Sequence, residues 1–338
     1  MITSYMHHLV ENREVPGAVV LVNVKGERKY FEAFGGYQAR DGTSRKTTTS
    51  TWFDAASLTK VMATLPAALY LINREKLALH APVQHYIPEF TFKSITIYHL
   101  LTHTAGLSAD LSHKSRWHKR NIFHELLAST LVTKPGETVK YTDLGMILLG
   151  KVIERVTAKP LNDLVETELY PRWNMPNTTY LLTEKQKMET ASTEWDNGQY
   201  LQGEVHDEKA FQMGGVSGNA GLFTTAEDME AYGLKWLYPD SQAVIDPYLL
   251  KGACQEHKQG RGLGWEVWNR IGDPPSCGEH WPPGSFGHTG FTGTSLWINP
   301  KDEIITVLLT NVVHYGRNHN LKTIRKELHS HVHQCFAK

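Results

Sequence analysis

Ser57 and Lys60 are the two residues in this sequence whose types and spacing could do chemistry. They lie in the run FDAASLTKV (53–61), where small residues precede the serine and an apolar segment follows. If Ser57 begins a helix, Lys60 lies one turn later on the same face. A serine hydroxyl is a weak nucleophile until a neighbouring base takes its proton. A lysine serves as that base only if desolvation or nearby charge lowers its pKa.

Two later stretches could complete such a site: Tyr141-Thr142-Asp143, and His288-Thr289-Gly290 followed by Phe291. The order Ser-x-x-Lys, Tyr-x-Asp, His-Thr-Gly is the strongest signal in the chain. A third polar run contains His206, Asp207 and Glu208. Its side chains either form a polar loop at the rim of the site or hold an ammonium or amide group of a substrate.

Composition limits the classes of function. The chain has 338 residues, 41% of them hydrophobic, which suffices for one large globular unit or two closely packed ones. Lys plus Arg and Asp plus Glu both number 35, so no basic excess indicates a nucleic-acid partner. The 18 histidines make the net charge sensitive to mild acid. The three cysteines form no disulfide framework and lack metal-ligand spacing, so we expect no metal and no cofactor.

The N-terminal residues lack a basic segment followed by an apolar one. No apolar run reaches the roughly 18 residues needed to cross a bilayer. The sequence as written predicts a cytoplasmic protein without a membrane span, and an exported one if a leader has been removed. Its expected partner is a small-molecule or peptide substrate, and its oligomeric state stays open.

Hydrophobic periodicity predicts the main elements. The helices are expected over 2–10, 57–79, 122–131, 143–156, 161–169, 226–238 and 320–333, and Pro66 should kink or split the second of them. The strands are expected over 18–24, 29–34, 263–268, 285–288, 294–298 and 304–309, and residues 35–50 are expected to form a loop.

This order predicts an α/β (α+β) fold, with an antiparallel sheet built from both chain ends, flanking helices and an inserted helical region. Residues 1–55 and 226–338 would form the sheet region and residues 56–225 the mainly helical region of one compact catalytic unit. Such a topology brings Ser57, Tyr141 and His288 to one boundary.

With these motifs in place, the sequence resembles the serine β-lactamase and penicillin-binding protein family. It is most similar to the class C-like branch, which also contains D,D-peptidases, esterases and muropeptide amidases. The resemblance spans nearly the whole chain and includes the stretches LALHAPV (77–83), LLTHTAGL (100–107), GLFTTAED (221–228) and LLTN (308–311).

The resemblance implies a β-lactamase/transpeptidase-like fold and a role for each motif. Ser57 would be the acylated nucleophile, and Lys60 and Tyr141 would handle its proton jointly. The run from His288 to Gly290 would flank the substrate, and the backbone N–H groups of Ser57 and Phe291 would form the oxyanion hole.

Two positions depart from the family pattern. Asp143 lies where an asparagine is usual, and a carboxylate beside Lys60 favours its ammonium form. We therefore expect Lys60 to stay charged and Tyr141 to carry more of the base role. His288 lies where many lactam-binding members have lysine. This predicts weak penicillin turnover, and recognition of a substrate carboxylate that improves in mild acid.

The favoured function is a serine hydrolase that forms an acyl-enzyme on an amide or ester. A cell-wall-derived peptide or muropeptide is the expected substrate, as in a D,D-peptidase or amidase. A small-ester esterase or a β-lactamase is the alternative within this class. A penicillin- or peptide-binding sensor that is acylated without turnover is the alternative from another class.

Overall fold

A seven-stranded antiparallel sheet forms the centre of the molecule, with its strands in the order Ser44–Lys46, Glu27–Gln38, Gly17–Val24, Ile304–Thr310, Ser295–Asn299, Phe286–Thr289 and Glu266–Val267. The computed structural model describes residues 1–112, 115–240 and 244–337. In chain order, the strands in these ranges are β1 (Gly17–Val24), β2 (Glu27–Gln38), β3 (Ser44–Lys46), β4 (Phe53–Asp54), β5 (Trp195–Asp196), β6 (Gln199–Tyr200), β7 (Phe223–Thr224), β8 (Glu266–Val267), β9 (Phe286–Thr289), β10 (Ser295–Asn299) and β11 (Ile304–Thr310).

The first and last strands of the chain are neighbours in this sheet. β1 pairs with β11 in antiparallel register, from Ala18 opposite Thr310 to Val24 opposite Ile304. The predicted antiparallel sheet built from both chain ends is therefore confirmed. The division of the chain at residues 55 and 226 stays a prediction.

Both faces of the sheet are covered. Val19 and Leu21 of β1 face one apolar core, and Ala18, Val20 and Val22 face a second one, as the alternation of strand side chains requires. The helices are α1 (Ile2–Glu11), α2 (Leu65–Ile72), α3 (Ile97–Leu101), α4 (Ile122–Leu127), α5 (Asp143–Thr157), α6 (Leu161–Glu168), α7 (Glu184–Met188), α8 (Glu208–Gln212), α9 (Ala226–Leu237), α10 (Pro247–Ala253) and α11 (Leu321–Phe336). Side chains of α1 and α11 enter the second core, and those of α2, α5 and α9 enter the first.

The segment after Ser57 changes helix type along its length. Ser57 lies in a 3₁₀ turn (Ala56–Leu58), which leads into a π-helical turn (Lys60–Thr64) and then into α2. Pro66 falls in the first turn of α2, where a missing N–H is tolerated. The helix therefore continues across Pro66 and ends at Ile72, so the expected extension to residue 79 was wrong.

Three other expected boundaries also differ. The expected loop over 35–50 contains the end of β2 and all of β3, a polar edge strand without apolar alternation. The expected strand over 263–268 reduces to the two residues of β8, and α4 stops at Leu127. None of the helices in the described ranges is long and apolar enough to cross a membrane.

Candidate active site

The turn that carries Ser57 has a strained backbone held by a buried carboxylate. Ala56, immediately before the serine, has a φ of +48°, a conformation that non-glycine residues rarely adopt. Asp54 is fully buried at the end of β4. Its side chain accepts hydrogen bonds from Ala56 N at 2.8 Å and His206 N at 2.6 Å. Asp54 therefore fixes the turn of Ser57 to the loop that precedes α8.

Lys60 is completely buried and its ammonium group contacts the serine hydroxyl. Nζ donates to Ser57 Oγ at 2.8 Å and to the carbonyl oxygen of Asn219 at 3.0 Å. The same nitrogen lies 2.7 Å from Oδ1 of Asp143, the first residue of α5. The sequence-predicted pair is therefore in direct contact, with a carboxylate as its third member.

The charges around Lys60 favour its ammonium form. Burial alone would lower the pKa of Lys60, but Asp143 and Tyr141 outweigh it, and the net pKa lies above its ordinary value. Burial would likewise raise the pKa of Asp143, but Lys60 and Lys209 outweigh it and hold that pKa well below its usual range. The direction for Lys60 agrees with the expectation drawn from Asp143.

Tyr141 lies next to this pair at the wall of a cavity. The Lys60 ammonium lies 5.0 Å from the centre of its ring and the Arg261 guanidinium 5.7 Å. The ring centres of His103 and His288 lie 4.8 Å and 5.9 Å away. The structure therefore brings together the serine, lysine, tyrosine and histidine that the sequence singled out.

His288 is neutral in this environment. Burial first, and then the positive charges of Lys60 and Arg261, lower the pKa of its imidazole well below the ordinary value. Nδ1 lies 2.9 Å from the carbonyl oxygen of Thr289. Mild acid does not charge such a group, so the expectation that protonation of His288 improves carboxylate recognition was wrong.

The turn after β9 is fastened to the turn of the serine. Thr292 Oγ1 donates to Asp54 O at 2.8 Å, and Thr294 Oγ1 donates to Ala55 O at 3.0 Å. A Cβ at Gly290 would lie 2.1 Å from Thr294 Oγ1 and 2.6 Å from Ala55 O. Glycine at 290 therefore permits the close approach of the two turns, which places Thr289, Gly290 and Phe291 beside Ser57 in the cavity wall.

His206, Asp207 and Glu208 line the same cavity but already have partners in the protein. Nε2 of His206 lies 3.0 Å from Oε2 of Glu194, and its ring stacks on Phe291. Asp207 caps α8 by accepting from Ala210 N, and Glu208 pairs with Arg317 at 2.6 Å. Whether these three side chains also hold a substrate group stays a prediction.

The cavity has a volume of about 640 Å³ and an open mouth. Its lining contains acidic and basic groups in similar numbers, which suits a polar substrate better than an apolar one. Sequence reasoning missed the basic residues Lys209, Arg261, Arg317, Lys322 and Arg325 in this lining. Among the described ranges, no group of His, Cys, Asp and Glu side chains has an arrangement that could hold a metal ion.

Lys209 is the most informative of the missed residues. It directly follows the polar run 206–208, and this adjacency is the sequence feature that could have identified it. Its Nζ lies 3.0 Å from Asp110, 3.2 Å from Asp143 and 3.3 Å from Asp207. Burial would lower the pKa of Lys209, but the three carboxylates outweigh it and raise that pKa strongly.

A serine in contact with a buried lysine, at the edge of an antiparallel sheet and beside a tyrosine, is the arrangement of a serine hydrolase. Comparison with known proteins places the chain more narrowly. The Beta-lactamase family model matches residues 2–330. The chain therefore belongs to the beta-lactamase family, and it is a serine hydrolase.

Two relatives illustrate the similarity in sequence. A protein of Escherichia coli (strain K12) named "Putative D-alanyl-D-alanine carboxypeptidase" is 31% identical, over 88% of this chain and 79% of its own length. A protein of the same name from Salmonella typhi is 30% identical, over 80% of this chain and 71% of its own length.

Solved structures show the same fold at lower identity. A beta-lactamase/D-alanine carboxypeptidase from Pseudomonas syringae superimposes with a TM-score of 0.78 at 16% identity and covers 98% of both chains. A class C beta-lactamase gives a TM-score of 0.75 at 20% identity and covers 98% of this chain and 96% of its own. The predicted β-lactamase/transpeptidase-like fold is thereby confirmed.

Proposed function

We propose that Ser57 is the nucleophile of this hydrolase and that it forms an acyl-enzyme with a peptide amide. The observation that carries the proposal is the 2.8 Å contact between Lys60 Nζ and Ser57 Oγ, with Ser57 in the wall of an open cavity that charged residues also line. Acyl transfer needs a nucleophile, a proton acceptor and donors for the developing oxyanion. Each has a candidate in this cavity.

The proton of Ser57 passes to the Lys60–Tyr141 pair during attack. Lys60 already carries a proton that it donates to Ser57 Oγ, so Tyr141 is the acceptor within this pair. A tyrosine accepts a proton only as the phenolate, and the positive charges of Lys60 and Arg261 lie 5.0 Å and 5.7 Å from the centre of the Tyr141 ring. The same pair then returns the proton to the leaving amine, and water releases the acyl group in a second cycle.

The oxyanion is accepted by the backbone N–H groups of Ser57 and Phe291. Gly290 N donates to Thr294 O at 2.8 Å and closes the turn, which leaves the next N–H, that of Phe291, as the candidate donor on this side. The threonine bonds to Asp54 and Ala55 hold this turn against the turn of Ser57. Such preorganised donors are the main source of rate enhancement in acyl transfer.

A peptide ending in D-amino acids, such as one derived from the cell wall, is the substrate class that we favour. The relatives that carry the D-alanyl-D-alanine carboxypeptidase name support this choice, as does the mixed charge of the cavity lining. Penicillin turnover is expected to be weak, because neutral His288 offers no positive charge to a lactam carboxylate.

Intact-protein mass tests the nucleophile and separates the alternatives. Wild type and Ser57→Ala are each incubated with a neutral fluorophosphonate and with a fluorescent penicillin. We expect one fluorophosphonate adduct that is absent from Ser57→Ala, and slow or no penicillin labelling. Release of D-alanine from a D-alanyl-D-alanine peptide by wild type alone would identify a D,D-peptidase.

Other outcomes would change the assignment. Hydrolysis of small esters without peptide cleavage would indicate an esterase, and fast penicillin hydrolysis a β-lactamase. A stable penicillin adduct without turnover would indicate a sensor. An adduct that persists in Ser57→Ala would overturn the assignment of the nucleophile.

A further inference from the structure

Lys60 and Lys209 share one carboxylate. Oδ1 of Asp143 lies 2.7 Å from Lys60 Nζ, and Oδ2 lies 3.2 Å from Lys209 Nζ. Lys60 is completely buried, and Lys209 is only 7% exposed. Because each oxygen has its own ammonium partner, the carboxylate is fixed between them.

Lys209 is itself surrounded by acidic groups. Asp110 lies 3.0 Å away and Asp207 3.3 Å away, in addition to Asp143. The cluster therefore contains two ammonium groups and three carboxylates. Without Lys209 the same volume would contain three carboxylates and only the ammonium group of Lys60.

We propose that Lys209 is a positioning residue for the reaction. It holds the Asp143 side chain in place and balances part of the negative charge of this carboxylate, which Lys60 would otherwise balance alone. This inference rests on the proposed role of Ser57, Lys60 and Tyr141. The position of Asp143 is the one where the family pattern has an asparagine, whose amide would need no second cation. Lys209 provides a second cation next to the Asp143 carboxylate. It lies on α8, outside the motifs that contain Ser57, Lys60 and Tyr141.

The electrostatic consequence has a definite sign. Removal of the Lys209 charge leaves Lys60 as the only ammonium group beside the Asp143 carboxylate, so the Lys60–Tyr141 pair holds its proton more tightly. The rising limb of the pH–rate profile then moves to higher pH. Other charged or titratable groups that face the pair do not change in this variant: Tyr141 itself, His103, His288 and Arg261.

The test measures the rate at which a neutral fluorophosphonate labels Ser57 between about pH 5 and pH 10. In Lys209→Met we expect the midpoint of the rising limb to move up by about one unit. At neutral pH this shift slows labelling roughly tenfold, since one unit changes the deprotonated fraction by that factor. Lys209→Arg keeps the charge and should keep the wild-type midpoint. Lys185→Met, at an exposed lysine of α7, is the matched control.

A second pair of variants separates this role from a structural one. The shift caused by Lys209→Met should be smaller in an Asp143→Asn background, because the shared carboxylate is then absent. Asp110→Asn frees Lys209 to neutralise Asp143 more fully and should move the midpoint to lower pH. Since the Asp110 side chain is 51% exposed, this variant tests the idea even if Lys209→Met does not fold.

These experiments distinguish failure of the inference about Lys209 from failure of the proposed function. If wild type is not labelled at Ser57, the proposed function is wrong. If wild type is labelled but Lys209→Met lowers thermal stability with an unchanged midpoint, Lys209 is only structural and the inference is overturned. An unchanged midpoint in Asp110→Asn would overturn it as well.

Discussion

Asp143 lies 2.7 Å from the ammonium group of Lys60, at a position where a neutral amide would leave that ammonium without a charged partner. The carboxylate helps to raise the pKa of Lys60 against the effect of burial. Asp143→Asn removes this contribution, so the pKa of Lys60 should fall and the Lys60–Tyr141 pair should lose its proton at lower pH. We expect the rising limb of the labelling profile to move to lower pH by about one unit. The rate of fluorophosphonate labelling as a function of pH measures it.

Asp163→Asn, on the exposed side of α6, is the matched control and should leave the profile unchanged. A profile for Asp143→Asn that coincides with wild type would show that the carboxylate does not control the base. In that case Asp143 would act on the substrate or on the fold alone.

Residues within a motif were predictable because their spacing is local. The interval of three between Ser57 and Lys60 places both on one face of a helical turn, whatever the rest of the fold does. Asp54, Lys209 and Asn219 were not predictable in the same way, since each reaches the site through tertiary packing. Asp54 meets the backbone of His206, 152 residues away, and no sequence period reports such a contact.

The turn between β9 and β10 is the element whose position decides whether an oxyanion hole exists beside Ser57. In Gly290→Ala, the new methyl group would meet Thr294 Oγ1 and Ala55 O at distances that real structures do not tolerate. The turn must therefore move away from the nucleophile. We expect labelling and turnover to fall about 10²–10³-fold, as when one oxyanion donor is lost. The accompanying loss of stability should be about 1–3 kcal/mol.

Gly252→Ala in α10 is the matched control, because a Cβ at that position meets no atom within 4 Å. It should leave activity unchanged and the free energy of unfolding equal or slightly higher. Full activity in Gly290→Ala would show that the contact between the two turns is not required for catalysis.

Elements with strong apolar periodicity were predictable, and those determined by their neighbours were not. The termini of α5 and α9 lie within one or two residues of the expected ranges, because an amphipathic stripe and an N-cap threonine define each helix. The π-helical turn after Ser57 carries no such pattern. Its first residue, Lys60, contacts Asp143 and Asn219, which lie in other parts of the chain.

At the scale of the whole molecule, the histidines in the described ranges extend from exposed positions to completely buried ones. His103, His288 and His329 are buried, and burial is the first cause that lowers the pKa of each. For His329 the pKa falls to about 3. The histidine content alone suggested that the net charge changes in mild acid. The burial of these three histidines indicates that the free energy of unfolding changes as well.

Unfolding in mild acid should therefore be favoured by proton uptake at these histidines. A histidine whose pKa is lowered in the folded state contributes its full stability above the unfolded value of about 6.5. It loses that stability as the pH falls below this value. For His329, whose pKa falls to about 3 in the folded state, the cost should be about 2 kcal/mol at about pH 5, at 1.36 kcal/mol per pH unit. Denaturant unfolding at about pH 7 and about pH 5 measures the difference.

His329 allows this cost to be measured apart from catalysis. Its ring lies in the second core, 5.1 Å from Trp281 and 6.4 Å from Trp297. In His329→Leu the drop in the free energy of unfolding between the two pH values should be smaller by about 2 kcal/mol, whatever the variant does to stability at neutral pH. His118→Gln, at an exposed position, should leave the drop unchanged. An equal drop in wild type and His329→Leu would mean that His329 is protonated in the folded protein, and that the core accommodates its charge.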